Sequence, residues 1–226
     1  MNNICVFDVL GPIMVGPSSS HTAGAARLGK VARSVLGENV VDVKFILHGS
    51  FAKTYKGHGT DKALVAGILG MNPDDERLRL SLLLAEKSGV KYEFIEEDLG
   101  DYHPNTVKFI MTGESGHTCE VLGSSIGGGS IQIIEVNGKG ANFTGAYPTL
   151  VTCHDDKPGT VNKVTNILYE HEANIAFMNV SRTQKGSDAT MTLEIDSKIE
   201  NEVIEKIKKI DGINKVILIN IDEDGE

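Results

Sequence analysis

The sequence predicts an α+β protein built from two parts. Over residues 1–147, segments with helical and with strand periodicity interleave without strict alternation, which favours an α+β fold over a doubly wound sheet. Around Tyr147-Pro148 the pattern resets, and the remaining chain reads strand, helix, strand, strand, helix, strand. That order is the ferredoxin-like plan. We therefore expect a mixed domain over 1–147 and a ferredoxin-like domain over 148–226.

The elements of the first part follow from apolar spacing and from the turn residues between them. Segments with apolar residues at helical spacing are predicted as helices over 25–35, 63–69 and 77–87. Short β-branched or alternating runs are predicted as strands over 4–9, 40–47, 92–95, 107–111, 119–122 and 131–136. Gly113-Glu114-Ser115-Gly116 and Asn137-Gly138 have the composition of hairpin turns.

The second part contains two amphipathic helices among four strands. The strands are predicted over 150–153, 174–183, 189–195 and 216–221, with a turn at Gly186. The helices are predicted over 158–171 and 200–210, each with one apolar stripe that faces the sheet. Pro158 is expected in the first turn of its helix, where its missing N–H costs nothing.

The composition is that of a globular protein with 226 residues, enough to bury a sizeable core. The formal net charge of −9 argues against nucleic acid as a partner, because binding phosphates requires a basic face. We find no apolar run long enough for a membrane span and no signal-peptide pattern. The three cysteines, Cys5, Cys119 and Cys153, suit neither a disulfide framework nor a metal site, so a reducing cytoplasm is the expected location.

A cluster of hydroxyl side chains, Ser18-Ser19-Ser20-His21-Thr22, directly precedes the first predicted helix. One interpretation is a helix with redundant N-caps, since a serine oxygen can accept a first-turn N–H. The other is a pocket for a small carboxylate, because a helix N-terminus and hydroxyls bind anions, with the imidazole placed for proton transfer. We favour the pocket, because capping does not explain three serines followed by His and Thr.

Further polar motifs follow the second strand. His58 lies in a glycine-flanked stretch that we interpret as a loop. We interpret the surroundings of His21 as a loop as well. Thr60 or Asp61 is expected to cap the next helix. His103-Pro104-Asn105 reads as a turn. Residues 123–127 match the G-x-S-x-G nucleophile elbow, but a strand rather than a helix is predicted to follow, which argues against a serine hydrolase.

Residues 148–222 resemble an ACT domain. The resemblance rests on Asp156-Lys157-Pro158-Gly159, Ala173-Asn174-Ile175 and Ile213-Asn214-Lys215-Val216, at the intervals expected for that domain. It implies that two such units pair, here as a homodimer, with a small ligand such as an amino acid bound where they meet.

The N-terminal part resembles the β subunit of the iron–sulfur-dependent, two-chain L-serine dehydratase. The matching motifs occur in the same order and are Ser18-Ser19-Ser20-His21-Thr22, Gly49-Ser50-Phe51-Ala52, Lys56-Gly57-His58-Gly59-Thr60-Asp61, His103-Pro104-Asn105 and Ser125-Ile126-Gly127-Gly128-Gly129. The resemblance implies that L-serine is converted to pyruvate and ammonia. It also implies a 4Fe-4S cluster held by a separate α subunit, with which the few cysteines here are consistent.

This reaction assigns roles to the motif residues. Removing water across Cα–Cβ of serine requires an anion site, a Lewis acid for the departing hydroxyl and a group that moves the Cα proton. The resemblance implies that the cluster of the α subunit acts as the Lewis acid. We expect the proton to be moved by His21 or His58, without deciding which of them only binds substrate. The residues expected to bind substrate are Ser18, Ser19, Ser20, Thr22 and Thr60.

For the C-terminal domain we expect any ligand to lie near Asp155, Asp156 and Asn174. In ACT domains that bind serine, an amide Asn stands where this chain has Asp156. A carboxylate cannot donate to the ligand's carboxylate and would repel it. Asp156 is therefore expected to cap the following helix, or to accept from an ammonium group or join Asp155 in a cation site.

A non-catalytic subunit that senses an amino acid is the alternative function. The N-terminal part also resembles the regulatory substrate-binding domain of some phosphoglycerate dehydrogenases. With an ACT domain behind it, such a chain would bind a ligand and dock on another protein without contributing to catalysis.

Overall fold

The computed structural model describes residues 14–182 and 184–220 of the chain, so the strand predicted over 4–9, with Cys5, lies outside the described residues. The chain forms two compact units that are separated in sequence between Asn137 and Gly138. The short strand at 139–143 belongs to the second unit, whose strands it contacts, and the domain boundary after residue 147 stays a prediction. None of the described helices is long and apolar enough to cross a membrane.

The first unit combines short helices with a mixed sheet. Its helical elements are a π-helical turn (Ser19–Ala23), α1 (Gly24–Leu36), α2 (Gly49–His58), α3 (Thr60–Ile68), a 3₁₀ turn (Glu76–Leu80) and α4 (Ser81–Lys87). Its strands are β1 (Val40–Leu47), β2 (Lys91–Glu96), β3 (Thr106–Gly113), β4 (Thr118–Gly127) and β5 (Ser130–Val136). These five strands lie in the order β2-β1-β3-β4-β5 within a six-stranded sheet, and among their described pairs β1 with β2 is parallel while the others are antiparallel. This confirms the α+β class.

Helix α1 forms where the apolar spacing predicts it and ends at Gly37, whose φ of 81° is left-handed. Its small residues allow a close crossing with α3. A Cβ added to Gly29 would lie 2.5 Å from the carbonyl oxygen of Leu64, and one added to Gly67 would overlap the carbonyl of Ala26. The two helices therefore touch backbone to backbone.

Two predictions for helices in the first unit need correction. The stretch around His58, interpreted as a loop, contains the end of helix α2 (Gly49–His58). The only buried side chain of α2 is that of Phe51, so the sequence shows no apolar stripe from which a helix could be predicted. The helix predicted over 77–87 begins as a 3₁₀ turn and becomes α-helical only at Ser81.

The second unit has the predicted ferredoxin-like plan. After β6 (Lys139–Phe143) its elements are β7 (Thr149–Asp155), α5 (Thr160–Glu170), β8 (Ile175–Arg182), β9 (Asp188–Ile195), α6 (Asn201–Lys208) and β10 (Ile213–Ile219). All pairs in the sheet are antiparallel, in the order β10-β7-β9-β8. The fully buried side chains of Leu150, Val164, Leu168, Leu193 and Ile207 lie in its core.

Helix α5 starts later than its sequence predicts. The residue before it, Gly159, has a φ of 92°, which excludes it and the preceding Pro158 from the helix. The first helical residue is Thr160. Pro158 therefore belongs to the turn between β7 and α5.

Candidate functional site

The serine-rich motif forms the π-helical turn in front of α1. Ser18 is extended (φ −138°, ψ 122°), and its hydroxyl accepts the main-chain N–H of His21 at 3.2 Å, so Ser18 is the N-cap. Its carbonyl accepts the N–H of Thr22 at 2.8 Å. The hydroxyls of Ser19 and Ser20 make no hydrogen bond among the described residues, and both side chains are partly exposed. Capping therefore accounts for one of the three serines.

The imidazole of His21 is held on both of its nitrogens by hydroxyl groups. Its Nδ1 lies 3.4 Å from Oγ of Ser18, and its Nε2 lies 3.2 Å from Oγ of Ser50. The ring of Phe51 meets it edge-on, with 5.3 Å between the ring centroids. These contacts fix the plane of the half-buried His21 ring.

The second candidate imidazole, that of His58, lies 4.9 Å from that of His21 between ring centroids. His58 is exposed and is the last residue of α2, which ends because Gly59 adopts a left-handed φ of 72°. Helix α3 begins directly at Thr60. The glycine-flanked stretch is thus a corner between two helices, and the expectation of loops around the two histidines was wrong.

Burial and the neighbouring His58 charge both lower the pKa of His21 below its usual value, burial being the larger cause. At neutral pH the His21 ring is therefore uncharged and can accept a proton. Because a serine hydroxyl can either donate or accept, both hydrogen bonds to the ring persist whether it is neutral or protonated.

Thr22 and Thr60, both expected to bind substrate, are not accessible from solvent. These residues are 2% and 0% exposed, and neither hydroxyl has a hydrogen-bond partner among the residues that the structure describes. The N-cap position of α3 is occupied by Gly59, and the side chain of Thr60 does not cap the helix. The Asp61 carboxylate does accept the N–H of Lys62 in the first turn, at 2.8 Å. The structure thus brings Ser18, Ser19, Ser20, His21 and His58 together at the surface and leaves the two threonines beneath it.

Ser50 and Phe51 contact His21 but were not selected as site residues from the sequence. Two signals were available. Both residues belong to the motif Gly49-Ser50-Phe51-Ala52 that carries the family resemblance, and a polar residue soon after a strand end is often functional, since β1 ends three residues before Ser50. The contact itself arises because α2 folds back from the strand, and that helix was not predicted.

The turn His103-Pro104-Asn105 borders this site through its main chain. Its Pro104 carbonyl accepts the N–H of Ser50 at 2.7 Å, and its Asn105 carbonyl accepts the N–H of Ser125 at 2.9 Å. Ser125 is fully buried inside β4, and the strand β5 follows after a glycine turn. The nucleophile-elbow geometry is therefore absent, as the sequence indicated.

The cysteines of the described chain do not assemble a metal site. Cys119 is buried in the first unit, and Cys153 is partly exposed in the second. Among residues 14–182 and 184–220, no three His, Cys, Asp or Glu side chains come together as possible metal ligands. These residues therefore do not fit an iron–sulfur cluster.

In the second unit, Asp155 and Asp156 tie main-chain segments together. Lys157 Nζ lies 2.8 Å from the Asp155 carboxylate and lowers the pKa of Asp155. The Asp156 carboxylate accepts the Gly186 N–H at 2.9 Å and a hydrogen bond from Arg182 at 2.5 Å, and both lower the pKa of Asp156, Gly186 more strongly. Asp156 therefore does not cap α5, which corrects that expectation.

Asn174 lies at the opposite end of the sheet from these aspartates. It precedes β8 beside the end of β9 at Ile195 and donates to the Asp196 carboxylate at 2.5 Å. Asp156 instead meets Arg182 at the far end of β8, roughly 20 Å away along the strand. Within one chain, Asp155, Asp156 and Asn174 consequently do not share a binding site, contrary to the expectation from sequence.

Comparison with known proteins identifies similar chains. A family model described as serine dehydratase beta chain matches residues 5–135, and an ACT domain model matches residues 149–212. The chain is 44% identical to "Probable L-serine dehydratase, beta chain" of Bacillus subtilis, over 95% of this chain and 97% of that one. It is 46% identical to "L-serine dehydratase, beta chain" of Peptoniphilus asaccharolyticus, over 87% and 89%. A D-3-phosphoglycerate dehydrogenase of Methanocaldococcus jannaschii is 31% identical over 87% of this chain but only 37% of its own length.

Proposed function

Since the chain belongs to the serine dehydratase beta chain family, we propose that it is the β subunit of a two-chain L-serine dehydratase that forms pyruvate and ammonia. One observation supports this most directly. A neutral His21, fixed by Ser18 and Ser50, stands next to the unpaired hydroxyls of Ser19 and Ser20 at the start of a helix. This arrangement suits a substrate that carries both a carboxylate and a proton to be removed.

The 4Fe-4S cluster implied by the family resemblance is assigned to the α subunit. The described residues of this chain do not offer a ligand set for it. When bound, such a cluster supplies a Lewis acid. The cytoplasmic location proposed for the enzyme follows from the cysteine usage of this chain.

In this proposal the residues of the chain bind the substrate and move its proton. The hydroxyls of Ser19 and Ser20 donate to the serine carboxylate, aided by the positive end of the helix. Neutral His21 accepts the Cα proton, and the Cβ hydroxyl leaves, so that the elements of water are lost and aminoacrylate forms. Aminoacrylate tautomerises to the imine, and one water hydrolyses it to pyruvate and ammonia. The nearby His58 makes a protonated His21 less stable and so favours transfer of its proton to the departing hydroxyl, which leaves as water.

The proposal is tested on the chain co-expressed with a cysteine-rich α partner, purified without oxygen and assayed for pyruvate from L-serine. His21→Ala and His58→Ala are expected to lower kcat by about 10²- to 10⁴-fold without dissociating the complex. Ser19→Ala is expected mainly to raise KM, because a carboxylate contact acts in the ground state and transition state alike. His117→Ala, an exposed histidine on the β3–β4 hairpin, is the matched control and should keep normal turnover. Near-normal turnover in both His21→Ala and His58→Ala would show that the motif is structural.

The chain by itself is expected to be inactive and colourless. Anaerobic incubation of the isolated chain with iron and sulfide should give no stable visible absorbance, since its described residues contain no cluster ligand set. A stable, active cluster on the chain alone would contradict the assignment to the α subunit.

A non-catalytic amino-acid-sensing subunit is the second candidate. It is favoured by the phosphoglycerate dehydrogenase relative, in which the matching region is only about a third of the protein. A sensing subunit would respond differently to mutation: His21→Ala would change the serine concentration that activates the complex, but would leave turnover at saturating serine unchanged. The same kinetic assay therefore separates the two functions.

A further inference from the structure

Ser50 is held by hydrogen bonds at both ends of its main chain. Its N–H donates to the Pro104 carbonyl at 2.7 Å, and its own carbonyl accepts the hydroxyl of Thr54 at 2.7 Å. Its side-chain hydroxyl contacts Nε2 of His21 at 3.2 Å. With the main chain fixed on both sides, the hydroxyl of Ser50 has a defined position relative to the imidazole.

The Pro104 carbonyl also fixes the second neighbour of the His21 ring. It accepts the N–H of Phe51 at 3.2 Å, in addition to that of Ser50. The ring of Phe51 is fully buried and meets His21 edge-on. These two donors belong to the first turn of α2, whose N-cap residue His48 gives no side-chain cap. One carbonyl thus replaces the cap and positions both residues that contact the His21 ring from α2.

Gly49 is the residue that allows Pro104 to come so close. It has a φ of 57°, and a Cβ added there would lie 2.7 Å from the Pro104 carbonyl oxygen and 2.8 Å from its Cα. Any side chain at this position would push the carbonyl away from the start of α2. A single methyl group at position 49 would therefore disturb the close approach of the turn to the helix.

We propose that Ser50 is a positioning residue for His21, and that the Pro104 carbonyl sets the orientation of the imidazole through Ser50 and Phe51. The inference rests on the proposed catalytic role of His21. In this proposal the turn His103-Pro104-Asn105 supports the site without itself contacting the substrate. Since positioning affects the proton transfer and not the carboxylate contact, its loss acts on kcat and spares KM.

The kinetic test uses the co-expressed complex and compares Ser50→Ala with Ser50→Thr. Ser50→Ala is expected to lower kcat by roughly 10- to 100-fold at unchanged KM, and Ser50→Thr, which keeps the hydroxyl, to recover most of it. Ser34→Ala is the matched control, because the hydroxyl of Ser34 donates to the carbonyl of Lys30 within α1. Equal kcat for Ser50→Ala and the unmodified complex would overturn the proposal.

A second measurement does not depend on activity. In NMR spectra of the isolated full-length chain, the contact between the rings of His21 and Phe51 gives a nuclear Overhauser effect. It is expected to weaken in Gly49→Ala, with a change in the His21 ring shifts that resembles the change in Ser50→Ala. Unchanged His21 signals in both variants would contradict the positioning role.

The two proposals fail in different ways. If His21→Ala keeps its turnover, the catalytic assignment is wrong whatever Ser50 does. If His21→Ala loses turnover but Ser50→Ala does not, the function stands and the positioning role falls.

Discussion

A half-buried imidazole beside a second imidazole has two physical reasons to remain neutral. For His21 the larger reason is burial, which penalises the charged ring, and the smaller is electrostatic repulsion from the imidazole of His58 at 4.9 Å. The general base of the proposed reaction is thus ready at neutral pH. Because His58 is exposed, a substitution of His58 alone removes this repulsion.

The pKa of His21 is expected to lie below about 6.5 when its ring resonances are titrated by NMR in the isolated chain. His58→Gln should raise the pKa of His21, because the amide keeps a polar side chain there but cannot become charged. His117→Gln on the β3–β4 hairpin is the control and should leave the pKa of His21 unchanged. An unchanged His21 titration in His58→Gln would show that the two rings do not interact electrostatically.

The packing of α1 against α3 depends on two glycines that have no room for a side chain. Gly29→Ala is expected to destabilise the chain by about 1–3 kcal/mol, because its methyl would overlap the Leu64 carbonyl. Gly57→Ala in α2 is the matched control: no atom of the described residues lies within 4 Å of its added Cβ, so we expect it to stabilise the chain by about 0.5–1 kcal/mol. Urea unfolding of the full chain measures both. Equal effects of the two substitutions would contradict the close helix crossing.

The Asp156 carboxylate joins the end of β7 to the β8–β9 turn through Gly186 and Arg182. Asp156→Ala is expected to lower Tm more than Asp156→Asn does, since the amide oxygen still accepts a hydrogen bond. Asp188→Ala, which removes only an exposed partner of Lys139, should have the smaller effect.

Calorimetric titration of the full chain with L-serine and with K⁺ or Mg²⁺ separates a structural role of Asp156 from a ligand-binding role. Loss of binding without a change in Tm would make Asp156 a ligand residue.

Elements with a strong hydrophobic periodicity could be predicted from the sequence, and elements without such a periodicity were missed. The strand over 40–47 and the ferredoxin-like order are readable because β-branched residues recur and turn residues separate them. Helix α2 has one buried side chain, and Gly57 near its end and Gly59 directly after it suggest a loop. For the site, the motif around His21 was found, but its contact with Ser50 was not, because that contact depends on α2. Asn174 was grouped with Asp156 because the sequence does not show at which end of a sheet a residue lies.

Each of the two units carries an imidazole whose pKa is lowered by burial, namely His21 in the first and His154 in the second. The folded chain therefore binds fewer protons than the unfolded chain, so that stability is lost as the pH falls below about 6.5. Thermal unfolding from pH 7.5 to 5 should show Tm falling with acidity. His154→Gln is expected to reduce that slope, and an unchanged slope would exclude His154 as a cause.

The outer strand of the second unit's sheet presents apolar side chains to solvent. In β8, Phe177, Met178 and Val180 are 56%, 44% and 46% exposed, and β8 is the last strand in the order β10-β7-β9-β8. An outer strand with apolar side chains on both faces is a template for pairing. The cation at its end, Arg182, is already neutralised by Asp156, so a second strand would not meet an uncompensated charge. We propose that a second copy of the chain pairs through β8.

Sedimentation of the purified chain is expected to show a dimer that Val180→Lys and Met178→Lys convert to monomer. A lysine on an outer strand keeps its charge in water, and pairing would have to bury it or force the two strands apart. Leu83→Lys on α4 is the control, since Leu83 is similarly exposed at 47% but lies in the first unit, and the dimer should persist in it. A wild-type chain that is monomeric at all concentrations, or a dimer that survives both substitutions in β8, would show that this strand does not join two copies.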